Sequence, residues 1–150
     1  MNFSKTTEYS LRILSFMAID ETKLYNAEQL CGCLEIPYRY LRKQLTKLTK
    51  SGLLISLQGK NGGYKMSRPS KDISLWEIVE ATEGEQSYHE CLLGFDNCVF
   101  GASCSLREKW KTVQNSINDM LKNTTLAELG ESGSHKFILQ HNNLLLTKNV

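Results

Sequence analysis

The stretch IPYRYLRKQLTKLTKSGLL, residues 36–54, decides the fold. Pro37 sits where a helix can start, because its missing N–H costs nothing in a first turn. Ile36, Leu41, Leu45 and Leu48 then form a buried stripe, and Ser51-Gly52 marks the stop. The other face presents Arg39, Lys43, Lys47 and Lys50 at helical spacing. Upstream, Asn26 caps a short helix through Ala27, Leu30 and Cys31, and Leu11, Leu14, Met17 and Ala18 share one face of a first helix. A short helix, a tight turn and a basic helix make a helix-turn-helix. Downstream, Leu53 to Leu57 reads as a strand and Tyr64 to Met66 as its partner, joined by the glycine-rich QGKNGG. Such a hairpin directly behind a recognition helix is a wing, with Lys60 and Asn61 at its tip free to approach a phosphate backbone or the minor groove. The expected fold class is mainly α with a small β-hairpin wing.

Charge points the same way. Residues 36–71 hold nine of the eighteen Lys and Arg and no Asp or Glu, whereas residues 73–106 hold no Lys or Arg. The formal net charge of +2 hides this partition. An anionic partner for one segment is implied, and double-stranded DNA suits it better than a membrane surface. A solvated basic face is the plainer alternative, and the placement of the block on a helix and its wing favours DNA. No apolar run approaches membrane-spanning length, and the amphipathic residues 1–20 do not resemble a signal peptide, so a cytoplasmic protein is expected. At 150 residues the chain can bury a sizeable core without a metal or disulfide.

Ser74 followed by Glu77 is a capping box opening a helix that presents Leu75, Ile78 and Val79 to the core. After Gly84 the helical period stops, and the next residues collect His89, Cys91, Cys98 and Cys104 in a loop. From Leu106, the apolar residues Leu106, Trp110, Val113, Ile117 and Met120 follow a heptad seam, as a long dimerisation helix requires. A homodimer would place two reading heads on a palindromic operator. The expected organisation is a winged helix-turn-helix over 1–84, a cysteine-bearing sensor loop over 85–105, a dimerisation region over 106–129 and a tail over 130–150. The tail carries His135, His141 and two apolar runs, 137–139 and 144–146, to which no role is assigned.

Five cysteines are an odd number for structural disulfides in a reducing compartment. Cys31 and Cys33 fall inside the helix-turn-helix and read as structural. Cys91, Cys98 and Cys104 are separated by six and five residues. Zinc sites usually pair their ligands at closer steps. Thiolates spread along one loop can converge on an iron–sulfur cluster, and a metal-free thiol switch, zinc or no ligand are the other readings. An enzyme fits less well: the chain has no CxxC and no phosphate-binding glycine loop after a strand.

Residues 36–54, with QGKNGGYKMSRPSKDISLWEIVEATEG at 58–84, resemble the Rrf-two family of bacterial winged-helix regulators, which includes the IscR and NsrR types. The resemblance runs from about Phe3 to Leu129. It implies a homodimeric transcription regulator, often a repressor, with an iron–sulfur cluster (4Fe-4S or 2Fe-2S) in the loop after the 74–84 helix. Carried over by position, Tyr38, Arg39, Tyr40, Arg42, Lys43, Gln44 and Lys47 lie along the major groove and Lys60 and Asn61 at the wing tip. The family commonly has arginine just before the wing glycine, where this chain has Gln58. IscR-type relatives carry a histidine ligand three residues after the third cysteine, where this chain has Arg107. In the NsrR type a carboxylate near the start of the first helix, from the other subunit, completes the cluster, and Glu8 occupies that position. His89 is a possible substitute. The resemblance thus implies nitric oxide, redox state or cluster status as the signal; the alternative is a metal-free thiol-switched or constitutive winged-helix regulator.

Overall fold

A computed structural model describes residues 3–84, 91–95 and 98–131. His89 and the residues from 132 onward, with both apolar runs of the tail, lie outside the described residues. The helices are α1 (Lys5–Met17), α2 (Ala27–Leu34), α3 (Tyr38–Lys50), α4 (Leu75–Glu83), α5 (Arg107–Asn123) and α6 (Leu126–Glu131), with strands β1 (Leu54–Leu57) and β2 (Gly63–Met66) between α3 and α4. This is a winged helix-turn-helix with a long helix behind it.

The starts of α2 and α4 are set by reciprocal side-chain caps. The Asn26 side chain accepts from the Gln29 N–H while Gln29 accepts from the Asn26 N–H, and Ser74 and Glu77 do the same for α4. Each pair satisfies two N–H groups that have no helical partner. Helix α2 ends at Glu35, whose φ of 53° makes the left-handed turn into Ile36-Pro37 and α3. The stripe Ile36, Leu41, Leu45 and Leu48 is fully buried as expected, against Ile13, Leu14 and Met17 of α1 and Leu30 of α2 in one core. Leu11 and Ala18 are only half-buried. Thr7 and Ser10 turn inward on α1 instead.

The wing is an antiparallel ladder in the register Leu54↔Met66 to Leu57↔Gly63. Its three glycines serve different needs. Gly59 alone among them has a positive φ, 109°. At Gly62 a Cβ would fall 2.2 Å from the Leu57 carbonyl oxygen, and at Gly63 one would fall 2.6 Å from that of Tyr25.

Behind the winged helix-turn-helix, α5 follows the cysteine-bearing segment and returns at its C-terminal end to the body. Leu121 is buried, Leu75 N–H donates to Thr124 O at 2.9 Å, and Leu126 N–H donates to Ile73 O at 2.8 Å. Thr125 and Glu128 then open α6, which packs its fully buried Leu126 against the winged-helix core. The segment expected as one dimerisation region over 106–129 is therefore two helices, the second of which belongs to the body.

Candidate nucleic-acid interface and cysteine cavity

Helix α3 divides its residues more finely than its charge pattern suggests. Tyr38, Arg39, Tyr40, Arg42 and Lys43 are all exposed, with Tyr40 at 57 %. The Arg42 guanidinium lies 5.9 Å from the centre of the Tyr38 ring. Stacking of that kind holds a long cation ready for a planar partner.

Two residues depart from the expected groove-facing set. Gln44 is 2 % exposed, and its Oε1 is buried with no hydrogen-bond partner among the described residues. Position 44 lies three residues from Leu41 and four from Leu48, so it falls inside the buried stripe and cannot reach a base edge from there. Lys47 is half-buried and donates from Nζ to the Thr82 carbonyl at 2.7 Å, at the C-terminal end of α4.

Lys60 and Asn61 are exposed at the wing tip. A cleft of about 390 Å³ runs between the start of α2, the exposed side of α3 and the wing, lined by Asn26, Glu28, Tyr38, Arg42, Lys60 and Tyr64 among others. Glu28, outside the acid-free block in sequence, is brought into that cleft by the fold. Gln58 also lines it.

The three loop cysteines share one second cavity of about 350 Å³. Cys91, Cys98 and Cys104 line it with Leu106, Arg107, Trp110 and Lys111, so α5 forms one wall. Cys98 is exposed, the other two are half-buried, and all are free thiols. Among the described residues no three His, Cys, Asp or Glu side chains come close enough to hold a single metal ion. Glu8 lies in the first turn of α1, 2.6 Å from the Lys5 ammonium, and is not part of the cavity lining. Elsewhere, Cys31 donates to the Ile36 carbonyl at 3.3 Å, and burial pushes the Cys33 thiol up, with Lys23 opposing. That is how packed, unreactive thiols behave.

Three of the heptad residues are uncovered within one chain, while Ile117 packs against the core. Leu106, Val113 and Met120 are 40 %, 47 % and 55 % exposed, and Trp110 and Ile117 are half-buried. Leu121 is the one buried residue of this helix.

A basic helix seated by its neighbour, a glycine-tipped wing beside it and a cysteine-bearing segment behind define a winged-helix transcriptional regulator that binds DNA. Comparison with known proteins agrees. Residues 3–132 match the Rrf2 family, described as iron-dependent transcriptional regulators, and the chain belongs to that family. It is similar to the HTH-type transcriptional regulator NsrR of Oceanobacillus iheyensis, 29% identical over 131 residues that span 86% of this chain and 89% of the relative. Its fold is that of CymR, the global cysteine regulator of B. subtilis, with a TM-score of 0.75 at 21% identity over 88% of this chain and 98% of the other. It is also that of T. potens IscR, with a TM-score of 0.69 at 23% identity over 89% and 88%. Among the described residues no helix is long and apolar enough to cross a membrane.

Proposed function

We propose that the chain is a homodimeric repressor whose operator affinity answers to an iron–sulfur cluster held by Cys91, Cys98 and Cys104, with the partner subunit's Glu8 as fourth ligand. The observation that carries this reading is that the three thiols, spread along one segment without helical period, line one cavity against α5. A cluster has more than one iron, so Cys91, Cys98 and Cys104 would not need to converge on a single ion, and sulfur is the donor such clusters prefer. When bound, the cluster supplies iron that reacts with nitric oxide or oxidants.

The chain's own residues do the rest. Cys91, Cys98 and Cys104, holding the cluster, would tie the loop to α5, and Leu106 and Trp110 supply apolar lining to the cavity. Arg107 and Lys111, one turn apart, offset the negative charge of three thiolates. The exposed seam Leu106, Val113 and Met120, with Trp110 and Ile117, pairs two copies, and the paired copies present two α3 helices to a palindromic operator. Tyr38, Arg39, Tyr40, Arg42 and Lys43 read the major groove, and Lys60 and Asn61 hold the flanking backbone. Releasing the loop shifts the dimer between two arrangements that differ in DNA affinity.

A second reading, a metal-free thiol switch, is favoured by Cys98, whose exposed thiol can be oxidised without any metal. One experiment separates the two. The full chain is purified without oxygen, and its visible absorbance, iron and acid-labile sulfide per chain are recorded before and after nitric oxide. Stoichiometric iron and sulfide, with a chromophore that nitric oxide bleaches and Cys98→Ala abolishes, is the expected result. A colourless chain that resists reconstitution leaves the thiol switch.

A further inference from the structure

We propose that Lys47 is a positioning residue, a latch from the recognition helix to the junction where the sensor loop begins, and not a contact to DNA. The inference rests on the regulated DNA-binding function proposed above. Its basis is a chain of polar contacts joining three helices. Lys47 Nζ, from the last turn of α3, donates to the Thr82 carbonyl at 2.7 Å. That carbonyl belongs to the last turn of α4, where free carbonyls and the helix dipole favour a cation. Thr82 is itself fixed, its hydroxyl lying 2.9 Å from the Ile78 carbonyl and 2.7 Å from the Thr7 hydroxyl on α1. Thr7 donates to the Glu83 carboxylate, which also accepts from the Ser4 N–H at 2.9 Å.

Two ends of the sensing apparatus therefore meet at one place. Gly84, which closes α4 with a φ of 83°, opens the segment that leads to Cys91, and the first turn of α1 carries Glu8. A loop that pulls on either end moves Thr82. Thr82 moves the Lys47 ammonium, and with it the C-terminal half of α3. Thr7 is fully buried, so it makes no contact with DNA itself, and a change in DNA affinity on its substitution is transmitted through the protein.

The test measures affinity of the full chain, cluster-loaded and cluster-free, for a labelled duplex selected from random sequence, over a range of salt. Lys47→Met and Thr7→Val should each compress the affinity ratio between the two states by about fivefold or more, the lower end of usual allosteric coupling. The double variant should lose no more than either single one, because both act on one network. Lys47→Arg, which keeps a donor, should restore the ratio, and the salt slope should stay at its wild-type value throughout. A Lys47→Met slope flattened by about 0.9, the value for one lost phosphate contact, with Thr7→Val indistinguishable from wild type, would overturn the latch. A wild-type ratio of one would sink the sensing reading together with the latch, whereas a normal wild-type ratio kept in both variants would sink the latch alone.

Discussion

Tyr25 and Tyr64 exchange both of their backbone hydrogen bonds, at 2.8 and 2.7 Å, so the two-stranded wing is tied to the segment that leads into α2. The wing is thereby held to the helix-turn-helix rather than hanging from α3. The exchange requires close approach at Gly63, and the hairpin turn requires it at Gly62.

Gly63→Ala should therefore loosen the wing from the body. The new methyl collides with backbone, which cannot swing aside as a side chain could, so a cost of about 1–3 kcal/mol is expected. Urea unfolding checks the loss, and binding to a selected duplex should weaken with it. A Gly63→Ala chain with wild-type stability would show that the Tyr25 contact is easily rearranged.

The elements that could be read from sequence were those whose local chemistry agrees with their packing. Asn26, Ser74 and the Leu41-Leu45-Leu48 stripe each carry a cap or a period that tertiary structure only confirms. Gln44 enters the groove-facing set by carrying over a continuous stretch of α3, whereas its helical position, three residues from Leu41 and four from Leu48, puts it in the buried stripe. Helix α6 announces itself by Thr125 and Glu128, an S/T-x-x-E pattern that the single region assigned to 106–129 does not separate from the longer helix. Lys47 could not be placed from sequence, since its partner Thr82 is 35 residues away and offers only a carbonyl. The shared cavity of Cys91, Cys98 and Cys104 depends equally on the path of a loop without periodicity.

Acid should weaken the junction between α1 and α4. At Glu83 burial raises the carboxyl pKa, but hydrogen bonds from Thr7 and Ser4 and the charge of Lys47 outweigh it, and the net shift is downward. Glu77 behaves alike: burial is overcome by Arg68 and by the Ser74 cap. A carboxylate whose folded pKa is depressed stabilises the fold fully above its unfolded value, 4.5 for both, and loses that contribution as pH falls through the folded pKa. Urea midpoints should fall as pH drops below about 4.5, and less steeply in Glu83→Gln and Glu77→Gln variants. Parallel curves for variants and wild type would remove these two residues from the acid response.

The two sides of α5 should respond differently to substitution. Met120→Asp and Val113→Asp alter exposed seam residues, so they should leave helicity unchanged and convert a dimer to a monomer in light scattering. Leu121→Ala empties a site that is 3 % exposed, where a loss of about 2–5 kcal/mol is usual for a core leucine. A Met120→Asp, Val113→Asp double variant that stays dimeric would move the dimer contact off this helix.

Arg42 and Lys60 line the same cleft, yet should fail in distinguishable ways. Arg42 is held over Tyr38 on the exposed side of α3, where a planar fork can pair with a guanine edge. Arg42→Ala should then cost about 1–3 kcal/mol and relax sequence preference at one base pair of each half-site. Tyr38→Leu should reproduce part of that loss, because it frees the guanidinium without removing it. Lys60 sits on a glycine turn with no such support, as a point charge for phosphate. Lys60→Ala should weaken all duplexes alike and lower the salt slope by about 0.9. Competition binding against a panel of single-base variants, at two salt concentrations, reads both effects at once. A uniform loss for Arg42→Ala, or a base-dependent one for Lys60→Ala, would exchange the roles assigned to helix and wing.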